Sequence, residues 1–148
     1  MSVEIKNILL ATDGSENVMN AVEWTIGLAK ENNATVIALY VIPPSGISLA
    51  MRGEMWAKGL HEHLKEEGEK ATEYVVDLGR KEGVNVGSVI IEDRNPTDGI
   101  VEFASDNDVD LIMMGTLGKT GLDHILLGSV AENVVRHSKK PVLVIPSK

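Results

Sequence analysis

Three glycines and a serine in the last quarter of the chain have a spacing that suits an anion. Gly115 and Gly118 are followed, after nine further residues, by Gly128 and Ser129. Glycine lets backbone N–H groups approach phosphate oxygens without a Cβ in the way. A helix beginning at Ser129 would add unpaired N–H groups, a positive dipole end and a hydroxyl group, and Lys119 adds a mobile cation. The spacing favours a phosphate site, with a tight turn and a helix cap as the alternative.

Two common nucleotide-binding motifs do not fit this sequence. Gly118-Lys119-Thr120 matches the last three residues of a Walker A loop, but that pattern needs a glycine where the chain has Met113. A Walker A loop also follows the first strand of its domain, whereas this loop follows the fourth predicted strand. The dinucleotide pattern Gly-x-Gly-x-x-Gly is missing after the first predicted strand. Neither motif therefore explains the glycines.

Short apolar runs alternate with helical patterns along the whole chain. The apolar runs predict five strands, at residues 7–11, 34–42, 84–92, 109–114 and 141–146. Apolar residues at three- and four-residue steps, together with proline and glycine boundaries, predict four helices, at residues 15–32, 60–83, 96–107 and 129–138. We expect the Ser15 side chain to cap the first helix, and the third strand to lie nearer the sheet edge than the first two.

This alternation predicts the fold class. Strands joined by helices form right-handed crossovers and a parallel sheet covered on both faces. With five strands the winding most naturally reverses after the third, which gives the order 3-2-1-4-5. The prediction is an α/β, doubly wound, Rossmann-like single domain over residues 1–148. Ligands of such sheets bind beyond the strand carboxyl ends, where the winding reverses. Asp13, after strand one, and the glycine loop, after strand four, are therefore expected at one site.

Composition narrows the class of protein. The chain has 148 residues, no cysteine, and a net charge of −8 from 14 basic and 22 acidic residues. A chain of this length can bury a core without disulfides, and the lack of cysteine excludes thiol chemistry and cysteine-ligated zinc. The acidic balance and the few aromatic residues argue against a nucleic-acid partner. No apolar run approaches a membrane span and no signal peptide is evident. We expect a cytoplasmic protein with no membrane partner.

The glycine spacing matches the signature of a known family. The chain resembles the universal stress protein family, in particular its ATP-binding branch, whose signature is Gly-x2-Gly-x9-Gly-[Ser/Thr]. The similarity extends to the residues around the signature and across the whole chain, at 8–15, 110–115, 126–132 and 140–145. The resemblance implies an adenine nucleotide alpha hydrolase-like fold that binds ATP with Mg²⁺. It also implies a nucleotide-dependent role in stress response or signalling.

The resemblance assigns roles to positions of this sequence. Asp13 matches the family's carboxylate on the ribose and metal side of the nucleotide, where Mg²⁺ would be held through the phosphates; helix capping is its alternative role. Val41 matches the position whose backbone contacts the adenine edge, with plain core packing as the alternative. Two residues would line the same wall as Asp13, namely Ala11 and Thr12. The ribose and phosphate segment would comprise Gly115, Thr116, Gly118, Lys119, Gly128, Ser129 and Val130.

Two residues depart from the family's usual pattern. Leu117 stands where members often have histidine, which removes a phosphate donor. Arg94 stands where many members have glycine. An arginine there would either crowd the adenine pocket or add a cation above it.

The sequence offers few residues that could catalyse phosphoryl transfer. Phosphoryl transfer needs a positioned base and concentrated positive charge, and only Asp13 and Lys119 are local candidates. We therefore expect a nucleotide-binding module with slow, partner-stimulated or no hydrolysis. The alternatives are a nucleotide hydrolase or adenylyl-transferring enzyme of the same fold, and a flavodoxin- or receiver-like domain. The last lacks the aromatic residues that flank a flavin and the paired acidic residues of a receiver.

The last predicted strand offers a surface for a partner. Val142, Leu143, Val144 and Ile145 should form a sheet edge with unpaired backbone groups, which proteins cover or pair. The resemblance implies a homodimer through this strand. A downstream protein partner is also expected, of unknown identity.

Other reactive-looking residues favour ordinary roles. His61 and His63 lie two apart on a predicted helix, about 200° around its axis, so they cannot easily share one metal ion. His124 lies in the glycine loop, where a solvent-facing position is favoured over a phosphate contact. Met51, Met55 and Trp56 are expected to pack in the core or against a partner.

Overall fold

A computed structural model describes residues 1–46, 52–117 and 127–148 of the chain. The strands are β1 (Asn7–Ala11), β2 (Thr35–Val41), β3 (Val86–Ile91), β4 (Leu111–Gly115) and β5 (Val142–Ile145). The helices are α1 (Met19–Asn32), α2 (Glu54–Glu82), α3 (Pro96–Asp106) and α4 (Ser129–His137), and a short 3₁₀ turn, Glu16–Val18, precedes α1. Within these residues no helix has both the length and the apolar character needed to cross a membrane.

The five strands form one parallel sheet in the order β3-β2-β1-β4-β5, which confirms the predicted topology. In this sheet Ile8 lies opposite Val36 of β2 on one side and Leu111 of β4 on the other. The winding therefore reverses between β1 and β4. This is the point at which a doubly wound sheet leaves a crevice beyond its strand ends.

The two faces of the sheet carry separate apolar cores. Ile8 and Leu10 of β1 pack with α1 on one face, whereas Leu9 packs with residues of α3 and α4 on the other. Successive side chains of a strand point to opposite faces, so a strand covered on both sides must be apolar throughout. This requirement explains the continuous apolar runs in the sequence.

Helix boundaries follow the expected stop and start signals. Asn33 and Gly83, which end α1 and α2, both have left-handed backbone conformations, with φ of 53° and 73°. At the start of α3, the Asn95 side chain accepts a hydrogen bond from the Thr97 N–H group at 2.9 Å. Pro96 occupies the first helical position, where its missing N–H group costs nothing.

The expected side-chain cap by Ser15 does not form, and α1 begins later than predicted. The Ser15 Oγ atom is buried without a hydrogen-bond partner. Instead, the Ser15 N–H group donates to Asp13 Oδ1 at 2.9 Å, and the Gly14 N–H group donates to Thr12 Oγ1 at 3.1 Å. The turn after β1 is therefore organised by the side chains that precede Gly14, whose φ of +77° favours glycine.

Candidate functional site

A cavity of about 380 Å³ opens at the carboxyl edge of the sheet, where β1 and β4 end side by side. Residues of each helix in the described part of the chain, or of the turn that flanks it, reach the cavity. Its described lining is Ala11, Thr12, Asp13, Val18, Leu39, Tyr40, Val41, Pro43, Leu64, Pro96, Ile100, Met114, Gly115, Thr116, Leu117, Gly128, Ser129, Val130 and Ala131. The volume is within the range of small-molecule sites in proteins, and the position is that expected for a doubly wound sheet.

One end of the cavity is apolar. It is bounded by the end of β2, by Leu64 of α2 and by Ile100 of α3. Tyr40 and Val41, the last two residues of β2, both contribute to this wall. An apolar slot of this kind suits a flat ring held by dispersion contacts rather than by charge.

The Val41 backbone is directed toward the cavity side of β2. The Ile42 N–H group donates to the Ile91 carbonyl group, and the Ile42 carbonyl group accepts from the Arg94 N–H group, so residue 42 bonds toward β3. On the opposite side the Leu39 carbonyl group accepts from the Thr12 N–H group. Backbone polar groups alternate in direction along a strand, so those of Val41 face the side where β1 has ended at Ala11.

The other end of the cavity is polar and is formed first by the turn after β1. Thr12 is 7% exposed, and Asp13 is half-buried beside it. One oxygen of the Asp13 carboxylate is committed to the Ser15 N–H group. The turn thus holds a single carboxylate at the cavity wall in a fixed orientation.

The start of α4 forms the rest of the polar end. Gly128 is the N-cap residue and supplies no side-chain cap, while its own N–H group donates to the Thr116 carbonyl group at 2.6 Å. The first intrahelical bond runs from the Glu132 N–H group to the Gly128 carbonyl group. The N–H groups of Ser129, Val130 and Ala131 precede that bond, so they are the first-turn donors that a helix leaves for an anion.

Gly115 allows the backbone to pass close to its neighbours at this end. A Cβ atom on Gly115 would lie 3.3 Å from the Asn17 carbonyl oxygen and 3.5 Å from the Leu117 carbonyl oxygen. The first of these distances is tight, so a side chain would press against the Asn17 carbonyl group. The glycine keeps the end of β4 against the turn that follows β1.

The structure brings most of the predicted site residues to one cavity. Those that line it are Ala11, Thr12, Asp13, Val41, Gly115, Thr116, Gly128, Ser129 and Val130. Two further predicted residues, Gly118 and Lys119, lie outside the described residues, as does His124. The roles of all these residues stay predictions.

Several lining residues were missed by the sequence analysis. Leu64 comes from the middle of α2, and Pro43 and Pro96 come from the segments that follow β2 and precede α3. The prolines carried a usable signal, because each marks a strand end or helix start at the carboxyl edge of the sheet. Leu64 gave no such signal, because the sequence identifies it only as part of the apolar face of a helix.

The structure places the two departures from the family pattern differently. Leu117 lines the cavity. Arg94 does not, because its guanidinium group pairs with the Glu102 carboxylate on α3 and its side chain is about half exposed. Neither alternative for Arg94, crowding the pocket or adding a cation above it, is seen in this arrangement.

The two histidines of α2 contact different carboxylates. His61 Nε2 lies 2.9 Å from Glu92 Oε1, and His63 Nε2 lies 3.2 Å from Glu67 Oε1. Across residues 1–46, 52–117 and 127–148, no group of three acidic or histidine side chains could hold a metal ion. A metal at the cavity would thus need ligand atoms beyond Asp13.

The strand expected to bind a partner lies at an edge of the sheet. β5 is the last strand in the order, after β4. Leu143 is 37% exposed, whereas Ile145 is buried. The edge position of this strand is confirmed, and the homodimer stays a prediction.

Comparison with known proteins identifies the family. The sequence model of the universal stress protein family matches residues 4–146. The chain belongs to this family. It is 43% identical to universal stress protein MJ0531 of Methanocaldococcus jannaschii over 141 residues, which cover 95% of this chain and 81% of the relative. It is 36% identical to universal stress protein MJ0577 of the same organism, over 100% of this chain and 99% of the relative.

Solved structures of the family share the fold of this member. The structure of MJ0577 matches with a TM-score of 0.85 and 37% identity, covering 99% of each chain. The universal stress protein from Archaeoglobus fulgidus, solved in complex with dAMP, matches with a TM-score of 0.70 and covers 97% of this chain and 99% of its own. Its identity is 21%, so this second match bears on the fold alone.

Proposed function

We propose that this universal stress protein binds ATP with Mg²⁺ in the cavity between β1 and β4 and acts as a nucleotide-dependent stress-response or signalling module. The observation that carries the proposal is the division of one cavity into an apolar end and an end lined by helix N–H groups. A nucleotide has the same division, because its base is flat and weakly polar and its phosphates are anionic. The proposal includes a cytoplasmic location and a homodimer.

The phosphate end is the more specific part of the argument. The first turn of α4 presents N–H donors without a competing side-chain cap, and the positive end of the helix dipole favours an anion there. Ser129 adds a hydroxyl group at the same turn. The sequence supplies Gly118 and Lys119 on the segment between β4 and α4, which suits the same chemistry.

The apolar end offers a base both aliphatic contacts and a hydrogen-bonding edge. Val41 and Ile100 provide aliphatic contacts for a ring. The Val41 backbone groups face the side where β1 has ended, so they are oriented to pair with the edge of a base. We expect adenine to lie between aliphatic side chains rather than against an aromatic stack.

Asp13 fits a role toward ribose or Mg²⁺. One carboxylate oxygen accepts the Ser15 N–H group, which leaves the second for a ribose hydroxyl group or a magnesium ion. Mg²⁺ at nucleotide sites is typically held by one or two carboxylates together with substrate phosphates and water. A single carboxylate is sufficient for that arrangement, with the phosphates supplying further oxygens.

The proposal includes slow or absent hydrolysis, which the described lining supports. Asp13 is the one carboxylate among the described lining residues, and none of these residues is lysine, arginine or histidine. Efficient phosphoryl transfer needs an oriented nucleophile and positive charge on the transition state. Binding energy would then serve a change of shape or partner.

Nucleotide recovery and titration test the proposal. The purified protein is denatured and the released nucleotide is identified by chromatography; ATP with Mg²⁺ is then titrated into stripped protein by calorimetry. We expect intact ATP, near one per chain, and saturable binding. Absence of both recovered nucleotide and measurable binding would overturn the proposal. Recovered ADP together with steady turnover would favour the hydrolase or adenylyl-transferring alternative.

A further inference from the structure

Two helical glycines contact the residues that end β2. A Cβ atom on Gly68 of α2 would lie 2.7 Å from Tyr40 Cδ1 and 3.1 Å from Tyr40 Cγ. A Cβ atom on Gly99 of α3 would lie 3.0 and 3.1 Å from the two γ-carbons of Val41. Real side chains seldom approach so closely, so each glycine lets its helix pack nearer to β2 than alanine would.

These contacts lie on opposite faces of the sheet. Tyr40 packs with Ala71 and Leu64 of α2, whereas Val41 packs with the core that includes Ile100 of α3. Tyr40 is 3% exposed, so its ring has little space to move away. The end of β2 is thereby held between two helices whose distance from it depends on the absence of a Cβ atom.

The same contacts border the apolar end of the cavity. Tyr40 and Val41 line it, together with Leu64, one helical turn before Gly68, and Ile100, the neighbour of Gly99. A shift of either helix, or of the Tyr40 ring, would therefore move the cavity wall. Dispersion contacts weaken markedly over gaps of half an ångström, so small shifts alter how a ring fits.

We propose that Gly68 and Gly99 are positioning residues that set the width of the apolar end and so determine which base the site accepts. The inference rests on the proposed nucleotide function. The two glycines hold their helices close to the end of β2, and an added Cβ atom on either would push that helix outward and widen the slot. The wider slot loses more dispersion contacts with a two-ring base than with a one-ring base.

Selectivity between ATP and CTP tests this inference. Dissociation constants for both nucleotides, each with Mg²⁺, are measured for the wild type, Gly68→Ala and Gly99→Ala. We expect ATP binding to weaken by about tenfold in Gly68→Ala, with a smaller loss for CTP. Gly99→Ala should change the ratio of ATP to CTP affinity by less, because the contacts that its Cβ atom would make are slightly longer. Gly59→Ala is the matched control, since a Cβ atom there on α2 meets nothing within 4 Å.

A double-mutant cycle separates positioning from general destabilisation. Tyr40→Leu removes the ring that the Gly68 Cβ atom would meet, so the loss of selectivity caused by Gly68→Ala should be smaller in the Tyr40→Leu background. Simple additivity of the two changes would overturn the inference. If Gly68→Ala does not fold, a second cycle provides the same test. It compares Gly99→Ala alone with Gly99→Ala in a Val41→Ala background, where the γ-carbons that the Gly99 Cβ atom would meet are absent.

The outcomes distinguish this inference from the proposed function. Wild-type protein that binds neither nucleotide would overturn the proposed function, and the inference with it. Wild-type protein that binds ATP, together with glycine variants that keep the wild-type ratio of ATP to CTP affinity, would overturn the inference alone. Equal weakening for both nucleotides would also overturn it, because that result indicates a structural role only.

Discussion

Asp13 has one task in the turn after β1 and a second one in the proposed function, and its substitutions should separate the two. The carboxylate accepts the Ser15 N–H group, and in the proposed function it also faces Mg²⁺ or ribose. Asp13→Asn keeps an acceptor oxygen for the turn but removes the charge, whereas Asp13→Ala removes both. We expect Asp13→Asn to fold with near wild-type stability while losing most of the Mg²⁺ dependence of ATP affinity.

Calorimetry with and without Mg²⁺, alongside urea unfolding, measures both effects. Asp13→Ala should in addition lower the free energy of unfolding by about 1 kcal/mol through the lost turn hydrogen bond. An Asp13→Asn variant with undiminished Mg²⁺ dependence would exclude the metal-side role.

Asp110 joins the starts of the two strands that flank the site. Asp110 Oδ2 accepts the N–H groups of Lys6 and Asn7, both at 2.9 Å. These hydrogen bonds favour the charged carboxylate and lower the pKa of Asp110 below its ordinary 3.8. Because the folded-state pKa is the lower one, the stabilisation is fully present above the unfolded value. It is lost as the pH falls through the folded value.

An amide at this position should remove that pH dependence. Asp110→Asn keeps an acceptor oxygen but not the charge. We therefore expect the free energy of unfolding to fall by about 1 kcal/mol at neutral pH, and its difference from the wild-type value to shrink in acid. Urea unfolding between neutral pH and pH values below 3.8 measures it. Asp106→Asn, at the exposed end of α3, is the control. A difference that stays constant into acid would contradict the assignment.

Two glycines of α2, Gly59 and Gly79, and Gly83, which follows the helix, differ in what surrounds them, so alanine should act differently at each. Gly59 is open, Gly83 has a left-handed backbone with open space, and Gly79 packs against Val86. We expect Gly59→Ala to stabilise the protein by about 0.5–1 kcal/mol, because alanine has the higher helix propensity. Gly83→Ala should destabilise it by about 1–2 kcal/mol through backbone strain.

Gly79→Ala completes this series, and its cost has a steric origin. The added methyl group would overlap the Val86 side chain on β3. We therefore expect the free energy of unfolding to fall by about 1–3 kcal/mol. Chemical unfolding of the three variants under one set of conditions measures the order. Equal effects at all three positions would show that packing and backbone conformation do not govern α2 as argued.

The elements differ in how far the sequence could predict them. Strands buried on both faces must be apolar throughout, so β1, β2 and β4 were evident, and their order followed from chain topology. The contribution of Leu64 to the cavity was not evident. α2 has 29 residues, so it spans about 43 Å and outreaches the strands. Helical periodicity identifies its apolar face but not which turn extends beyond the sheet.

The turn after β1 shows a second limit of the sequence. A serine before a helix predicts a side-chain cap. However, the side chains of Thr12 and Asp13, which precede Ser15 by three and two residues, accept backbone N–H groups themselves. Asp13 and Thr12 therefore organise the turn, and α1 begins at Met19. Competition among neighbouring capping side chains is decided by local geometry, which residue types alone do not specify.

The proposed homodimer would form through the exposed edge at β5. The Ile112 N–H group donates to the Pro141 carbonyl group, and the Thr116 N–H group donates to the Ile145 carbonyl group. The backbone N–H and carbonyl groups of the odd-numbered residues of β5 therefore point toward β4. Because backbone groups alternate in direction, those of Val142 and Val144 face away from the sheet. A second copy of the chain could pair with these outward groups.

Proline at residue 144 tests this pairing, since proline removes one outward N–H group and is tolerated at sheet edges. We expect the wild type to be a dimer by analytical ultracentrifugation and Val144→Pro to be a folded protein with a much weaker tendency to dimerise. Ser88→Pro is the matched control on the opposite edge of the sheet. The Ile42 N–H group donates to the Ile91 carbonyl group of β3, so the backbone groups of the even-numbered residues of β3 point away from the sheet. A monomeric wild type, or a Val144→Pro dimer of unchanged affinity, would contradict pairing through β5. Dissociation by Ser88→Pro instead would assign the interface to β3, at the opposite end of the sheet from β5.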